Sequence, residues 1–173
     1  ELIERLADVD DELAERYLNG EELSADFIRQ AVRRAVLKGT AVPVLCGTAL
    51  HDMGIQPLLD AVVAYLPSPQ DVDPMRGASP ITDEEVLCGS EPAQPMAGLV
   101  FKITSDPYMG RLAYVRIYDG VLERGSTVIN GATGKKERIG RLVRMHADRR
   151  EDVERIGAGD IGAILGLKVA TTG

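Results

Sequence analysis

Apolar positions in the first forty residues recur at the spacing of helices. Between residues 2 and 18 they repeat every three or four positions, which predicts one amphipathic helix that ends at Asn19-Gly20. Ser24 is a favourable N-cap for a second helix, and Lys38-Gly39 is a typical helix end. The predicted buried stripe of the second helix consists of Phe27, Ile28, Ala31, Ala35 and Val36. The pattern therefore predicts a helical hairpin over residues 1–40.

A single strand and a single helix are predicted next. Residues 41–46 form a short apolar run, which is typical of a strand covered on both faces in a parallel sheet, although Pro43 cannot donate to a ladder. A polar loop follows, and residues 55–66 have the helical period, with Pro57 in the first turn. The predicted packing face of this helix is Leu58, Leu59, Val62, Val63 and Leu66. We expect one strand–loop–helix unit over residues 41–66, too small to be an α/β domain by itself.

The character of the sequence changes near residue 95. Residues 67–94 are rich in proline and lack periodicity, which predicts a linker. Short β-rich segments follow at 99–104, 112–118, 127–129, 138–146 and 161–167, separated by turn signals that include Asp106-Pro107, Met109-Gly110, Asp119-Gly120 and Asn130-Gly131. This spacing predicts a small antiparallel β-barrel over residues 95–173. Residues 138–146 alternate irregularly; a bulge near Gly140 restores the alternation, and a helix is the alternative.

Charge is distributed unevenly along the chain. The net charge is −7, but residues 1–95 carry 7 basic and 18 acidic side chains, whereas residues 96–173 carry 13 and 9. This change of sign indicates two units with different partners. No apolar run approaches the ~18–20 residues of a membrane span, so a transmembrane protein is not expected.

The sequence contains no arrangement that is typical of catalysis or of metal binding. His51 and His146 have no nucleophile at a suitable spacing, so both are interpreted as structural or exposed. Cys46 and Cys88 are too few for a metal cluster, and free thiols are favoured over a single bridge. Gly131–Lys135 superficially resembles a phosphate-binding loop, but it lacks the earlier glycine and the Ser or Thr after the lysine, which favours a hairpin turn. We predict no catalytic and no metal-binding residues.

A strongly basic segment lies in the predicted barrel. Residues 135–150 carry seven basic side chains against two acidic ones. A stripe that contacts nucleic-acid phosphates is one interpretation, with Lys135, Lys136, Arg138, Arg141 and Arg144 as its members. The alternative is a solvated face whose cations pair with Asp148, Glu151, Asp152 and Glu154. The few aromatic residues, 4% of the chain, argue against base stacking.

Several motifs together resemble one family. Residues 42–49, 54–63 and 65–69 resemble the last strand and helix of the GTPase domain of elongation factor G. Motifs of the second half resemble its second domain in the same order and spacing; they are Phe101-Lys-Ile, Asp106-Pro107, Gly110-Arg-Leu, residues 134–142, Met145-His-Ala and Ala158-Gly-Asp-Ile. The resemblance extends over nearly the whole chain and is more specific than any single motif.

The resemblance implies an α+β fragment of four parts. Residues 1–40 are expected to be the helical end of the insert in the GTPase domain, and residues 41–66 the last strand and helix of that α/β domain. Residues 67–94 are expected to be a proline-rich linker, and residues 95–173 the antiparallel β-barrel of domain II.

The resemblance also implies one binding loop. Gly47, Thr48, Ala49 and Leu50 correspond to the guanine-recognition loop, in which the backbone N–H at the Ala49 position binds the guanine O6; Thr48 stands where the family has Ser. GTP or GDP with Mg²⁺ are the cofactors expected for the parent protein. The phosphate loop, the magnesium-binding switch segments and the Asn-Lys-x-Asp motif are not in this sequence. Because phosphoryl transfer depends on them, we expect this chain to bind no cofactor and to be inactive.

The implied function is that of a fragment of a cytoplasmic, GTP-binding ribosomal translocase. Its implied partners are small-subunit rRNA, which the basic stripe is expected to face, and the rest of the GTPase domain, without a membrane. Since residues 41–46 lack their sheet partners here, they are expected to lie exposed, to dock on the helices or to pair non-natively, with a risk of self-association. A ribosomal-protection or release-factor relative, and an independent RNA-binding β-barrel module, stay open as alternatives.

Overall fold

The computed structural model describes residues 1–106, 110–147 and 149–173. The chain divides into two compact units, Glu1–Asp71 and Val72–Gly173. None of the helices formed by the described residues is long and apolar enough to cross a membrane. The turn predicted around Asp106-Pro107 and Met109-Gly110 includes residues 107–109, which lie outside the described residues.

The first unit is helical. Its α-helices are α1 (Leu2–Ala7), α2 (Asp11–Leu18), α3 (Ala25–Leu37) and α4 (Ile55–Tyr65). Their small core consists of Leu6, Leu13, Ala31 and Ala35, all buried. The cap predicted for α3 is confirmed, because the Ser24 hydroxyl accepts the backbone N–H of Phe27 at 3.2 Å. Gly39 ends the same helix with a φ of +70°, which glycine adopts without steric cost.

The single helix predicted over residues 2–18 is wrong, because the structure has two helices there. Asp10 is extended and caps α2, with its carboxylate accepting the Leu13 N–H at 3.0 Å. The same carboxylate accepts hydrogen bonds from Nε and Nη2 of Arg34 at 2.7 and 2.8 Å. An extended Asp10 thus satisfies one of the amides that the start of α2 leaves without an intrahelical partner, and it binds α3 at the same time. The ion pair with α3 therefore favours the break.

The strand predicted over residues 41–46 is not formed. Among the described residues no strand pairs with this segment, and Val42 and Val44 are 84% and 87% exposed. A strand requires a neighbour for its backbone N–H and C=O groups, and the described residues supply none for residues 41–46. Lying exposed was one of the three outcomes expected of a segment without its sheet partners.

Helix α4 ends within one residue of the prediction, but its predicted packing face is not covered. The five apolar residues of that face, Leu58, Leu59, Val62, Val63 and Leu66, are between 44% and 81% exposed. The helix is tied to α3 by Arg33, which donates to the carbonyls of Ala64 and Leu66 at 3.0 and 3.3 Å. Arg33 also pairs with Asp71 at 2.7 Å.

The second unit is made of antiparallel strands, as predicted for residues 95–173. Its strands are β1 (Met75–Ala78), β2 (Glu85–Cys88), β3 (Ala97–Asp106), β4 (Gly110–Asp119), β5 (Val121–Glu123), β6 (Thr127–Ile129), β7 (Lys136–Arg138), β8 (Arg141–His146), β9 (Arg149–Val153), β10 (Arg155–Gly157) and β11 (Ile161–Leu165). Five of them form one sheet in the order β3-β4-β11-β8-β9. The others pair as β1-β2, β5-β10 and β6-β7.

Two features of this unit depart from the predicted pattern. The segment predicted as a linker over residues 67–94 contains the β1-β2 hairpin, which belongs to the second unit. The segment 138–146 was predicted as one strand with a bulge near Gly140, but it is divided there into β7 and β8, which belong to different sheets. The helical alternative is also wrong. At the interruption Ile139 is fully buried, and its backbone exchanges hydrogen bonds with Gly125 and Ser126 at 2.7 and 2.9 Å.

The main core lies on one face of the five-stranded sheet. Its buried members include Ala113, Val115 and Ile117 of β4, which alternate with the residues of the opposite face. A smaller cluster on that opposite face contains Leu112 and Ala163, packed against partly buried Tyr114. The sheet therefore has one face in the core and one outer face.

Candidate functional site

The predicted guanine loop is a tightly closed turn. Thr48 and Met53 exchange two backbone hydrogen bonds, of 2.9 and 3.1 Å. Between them, Ala49–His51 form one 3₁₀ turn, and Asp52 reverses the chain with a φ of +52°. The loop is thus held by backbone contacts within eight residues.

Two glycines allow the base of this loop to close. A Cβ atom on Gly47 would lie 2.9 Å from the Met53 carbonyl oxygen. One on Gly54, which has a φ of +82°, would lie 2.9 Å from the Cys46 carbonyl oxygen. Side chains at these positions would push the two arms apart, so glycine at both positions maintains the closed geometry.

The backbone N–H of Ala49 is available to an outside acceptor. No described residue accepts a hydrogen bond from it, although the N–H groups of Thr48, His51 and Asp52 are all satisfied within the loop. The Ala49 methyl group is exposed and small, and the neighbouring Leu50 side chain is 88% exposed. An amide without an internal acceptor, in an exposed turn, can bind a carbonyl-type oxygen. Gly47, Thr48, Ala49 and Leu50 stay a predicted site whose geometry suits that contact.

The turn that precedes the basic segment is a hairpin turn. The Asn130 side chain accepts the Thr133 N–H at 3.0 Å, and the Asn130 backbone pairs with Lys135 and Gly134 at 2.9 and 2.7 Å. Gly134 has a φ of +68°. The turn leads from β6 into β7, a strand rather than the helix that a phosphate-binding loop requires.

The five predicted rRNA contacts divide into two groups. Arg141 pairs with Asp152, with 2.7 Å between Nη2 and Oδ2. Arg144 pairs with Asp160 at 3.0 Å. The Arg141 guanidinium holds the pKa of Asp152 below its ordinary value. Of the carboxylates predicted to neutralise the stripe, Asp152 therefore does so, and Asp148 lies outside the described residues.

The other three cations have no acidic partner in the described part of the chain. They are Lys135, Lys136 and Arg138, and all three side chains are exposed. Lys136 and Arg138 are two positions apart on β7, so they share one face of that strand. Glu137 between them points the other way, and its carboxylate accepts the backbone N–H groups of Lys168 and Val169 at 2.8 and 3.0 Å. Glu137, the acidic residue of this strand, therefore binds backbone amides and does not neutralise Lys136 or Arg138.

The structure brings together a second group of side chains, for which the sequence predicted no binding function. The register of β3 against β4 shifts between Val100 and Lys102, which leaves Phe101 without a partner. This bulge places the Phe101 ring 6.3 Å and the Lys102 Nζ 5.8 Å from the centre of the Tyr114 ring. Alternation of aromatic and basic residues at positions 114, 116 and 118 was the available signal. The bulge that adds Phe101 has no comparable signature in the sequence.

We searched the described residues for metal-binding clusters and reactive thiols. These residues contain no group of three or more His, Cys, Asp or Glu side chains that could hold a metal ion. Both cysteines are free thiols, with Cys46 exposed and Cys88 buried. Burial, together with the nearby Asp119 carboxylate, raises the pKa of the Cys88 thiol. A raised pKa disfavours the reactive thiolate.

The chain is similar to known proteins in both sequence and structure. Residues 95–173 match the family model described as Elongation factor G domain 2. The chain is also similar to a protein from Thermus thermophilus of known crystal structure, at 27% sequence identity and a TM-score of 0.73. That similarity covers 99% of this chain and 23% of the Thermus chain. The chain thus spans about a quarter of the length of that structure.

Proposed function

We propose that this chain is part of a longer protein of the elongation factor G family, since residues 95–173 match its domain 2. We propose further that this parent protein binds guanine nucleotide and acts on the ribosome in protein synthesis. The observation that carries the proposal is the match of residues 95–173 to domain 2 of a translation factor. In the parent, located in the cytoplasm, the barrel contacts small-subunit rRNA while the first unit completes a GTPase domain.

The charge of the barrel supports the RNA contact. Lys135, Lys136 and Arg138 are exposed and have no acidic partner among the described residues. Cations in this condition can neutralise phosphates without first breaking an internal ion pair. Arg141 and Arg144 already pair with carboxylates, so they contribute less. We therefore narrow the phosphate-contacting set to the first three residues.

The first unit supports the proposal that further chain completes it. The outer face of α4 exposes Leu59 by 59% and Val63 by 81%, and Val42 and Val44 are exposed as well. An exposed apolar helix face such as that of α4 is typical of an interface. We infer that the rest of the GTPase domain covers it in the parent. GTP or GDP and Mg²⁺ are then bound mainly by groups outside this chain, which by itself does not hydrolyse GTP.

Within that domain the Ala49 N–H supplies a contact to the guanine O6. The experiment is to measure guanine-nucleotide affinity of the full-length protein after Ala49→Pro, which removes the N–H. Proline suits this position, because Ala49 opens a 3₁₀ turn and Thr48 before it is extended, with φ −136° and ψ 109°. Ala49→Gly is the matched control, since it keeps the N–H. We expect at least a tenfold loss of GDP affinity in the first variant only, roughly the effect of one lost hydrogen bond to a ligand.

Ribosome binding has its own direct test. The full-length protein is sedimented with isolated small ribosomal subunits, and we expect it to co-sediment in a salt-dependent manner. Failure to co-sediment at low salt would contradict the ribosomal part of the proposal. Unchanged GDP affinity in Ala49→Pro would contradict the nucleotide part.

A further inference from the structure

Aromatic and basic side chains are concentrated on the outer face of the β3-β4 pair. The group consists of Phe101, Lys102, Tyr114, Arg116 and Tyr118, and we call it the aromatic face. Three of the seven aromatic residues of the chain belong to it. Tyr114, Arg116 and Tyr118 occupy alternate positions of β4, opposite to the core residues of the same strand. Although the sequence is poor in aromatic residues, three of them lie close enough on this face to contact one ligand.

The bulge in β3 is the feature that builds this face. In a regular strand Phe101 and Lys102 would point to opposite sides of the sheet. Here the ring of one and the ammonium of the other both approach the Tyr114 ring, at 6.3 and 5.8 Å from its centre. A bulge sacrifices ladder pairing, and bulges commonly re-aim a side chain near a functional site. Phe101 stays 41% exposed, so part of its ring is open to a ligand.

The charged groups of the aromatic face are not neutralised internally. No carboxylate forms an ion pair with Lys102 or Arg116 in the described part of the chain. The Arg116 guanidinium lies 5.1 Å from the centre of the Tyr118 ring, and its buried Nε has no acceptor there. The face thus combines aromatic rings with positive charge and contains no acidic side chain.

We propose that the aromatic face binds an unpaired RNA base, which stacks on the rings of Phe101 and Tyr114 while Lys102 and Arg116 meet the flanking phosphates. This inference rests on the proposed function, since it names a second RNA-binding surface on the same barrel. Accessible rings with adjacent cations are the combination by which proteins bind single strands; here Phe101 is exposed and Tyr114 is half-buried. The accessible Phe101 ring favours RNA over an acidic protein surface, because cations alone would be enough to bind an acidic protein.

The probe is a fluorescently labelled twelve-nucleotide oligoadenylate, compared with an RNA duplex of equal length, and both are titrated with the 173-residue chain. The chain has no Trp, so quenching of tyrosine emission reports stacking in the same titration. We expect the single strand to bind more tightly than the duplex. The double variant Phe101→Leu and Tyr114→Leu keeps apolar bulk but removes the rings, and should lose about tenfold in affinity or more. Tyr118→Phe keeps its ring and should bind normally.

Charge is tested separately, with variants that leave the rings in place. Lys102→Gln should lower the slope of log affinity against log salt by about one unit. Lys168→Gln removes an equal charge at an exposed position outside the aromatic face and should leave the slope unchanged. Circular dichroism melts of each variant establish that the barrel stays folded. If the double leucine variant does not fold, the salt slope of Lys102→Gln still tests whether the aromatic face binds the oligonucleotide.

Several results would overturn the stacking proposal. They are equal affinity for single strand and duplex, no binding of the oligonucleotide at low salt, or full affinity in a folded ring-deleted variant. Loss of binding only in Lys135→Gln, Lys136→Gln and Arg138→Gln would also overturn it, yet would leave the proposed function intact. Failure of the full-length protein to bind small subunits would remove the proposed function without altering the oligonucleotide result.

Discussion

Arg141 and Arg144 project from opposite faces of β8, although only two residues separate them. Successive side chains of a strand alternate between its faces, so positions three apart do not share one. The partners agree with this, because Arg141 pairs with Asp152 of β9 and Arg144 with Asp160 before β11. The basic segment that is continuous in sequence is therefore divided in space. Whether each cation is free to contact a phosphate depends on its own carboxylate partner.

The ion pair of Arg141 predicts a titration effect. Because the Arg141 guanidinium hydrogen-bonds to Asp152, it holds the pKa of that carboxyl below its ordinary value. We expect Arg141→Gln to raise the Asp152 pKa toward its ordinary value, measured by NMR titration of the carboxyl carbon. An Asp152 pKa that stays low in this variant would mean that another group is responsible. Lys136→Gln is the control, since no described carboxylate pairs with Lys136.

The Asp10–Arg34 pair predicts how the first unit responds to acid. The Arg34 guanidinium holds the pKa of Asp10 below its ordinary value, and burial opposes it. A lowered folded-state pKa means that this stabilisation is present above the ordinary pKa of Asp and is lost as pH falls through the folded value. We expect the helical circular dichroism signal of Asp10→Asn to melt earlier than that of the wild type at pH 7. The difference should shrink below about pH 4.

Two substitutions at Asp10 separate its roles. Asn is as good an N-cap as Asp, so Asp10→Asn removes the charge pair and keeps the cap, at a cost of about 2 kcal/mol. Asp10→Ala removes both and should cost about 1 kcal/mol more. Equal stability of Asp10→Asn and wild type at neutral pH would show that the ion pair does not stabilise the break between α1 and α2.

Substitution by alanine is expected to lower the free energy of unfolding by different amounts at two glycines that have the same φ. Gly120 and Gly134 both have a φ of +68°. A Cβ atom on Gly120 would lie 2.6 Å from the Gln94 carbonyl oxygen and 2.7 Å from the Met96 nitrogen, whereas on Gly134 it would meet nothing within 4 Å. Gly134→Ala should therefore cost about 1 kcal/mol, the cost of the left-handed backbone. Gly120→Ala should cost at least about 2 kcal/mol, because backbone atoms must also move.

Denaturant unfolding of the β-sheet signal measures these two costs. Gly134→Ala is the matched control, since it changes the same atoms at the same φ. Equal free energies of unfolding for the two variants would contradict the close approach of residues 94–96 to Gly120.

Exposed apolar residues predict that this chain self-associates at high concentration. Val42 and Val44 are 84% and 87% exposed in a segment without a sheet partner. Unpaired apolar segments of this kind are an association hazard. Val42→Lys with Val44→Lys should lower the average mass measured by light scattering. Leu50→Lys, at an equally exposed position of 88%, is the control and should have a smaller effect. A strictly monomeric wild-type chain would refute this prediction.

Local signals in the sequence predicted the elements that depend on local contacts. The Ser24 cap, the end of α3 at Gly39 and the length of α4 all follow from residues within one or two turns. The turn after Asn130 likewise depends on its own side chain. The antiparallel character of residues 95–173 followed from the regular spacing of turns. β5 and β10, of three residues each, and β9, which is almost entirely charged, were not predicted.

The features that the sequence did not predict depend on distant partners. The break before α2 requires Arg34, which lies 24 residues beyond Asp10. Residues 41–46 have the composition of a buried strand, but no neighbour is present among the described residues. In the candidate sites, the pairing of Arg141 and the bulge at Phe101 both depend on strand register. Register is a tertiary property that alternation of residues alone does not fix.

The salt dependence of small-subunit binding by the full-length protein tests most directly whether the barrel meets rRNA through its unpaired cations. We predict that Lys135→Gln, Lys136→Gln and Arg138→Gln together lower the slope of log affinity against log salt by about three units. The matched control is Arg141→Gln with Arg144→Gln, which removes two nearby charges that already have carboxylate partners and should change the slope less. A slope that is unchanged by the first set, at unchanged thermal stability, would contradict the claim that this barrel meets rRNA through its unpaired cations.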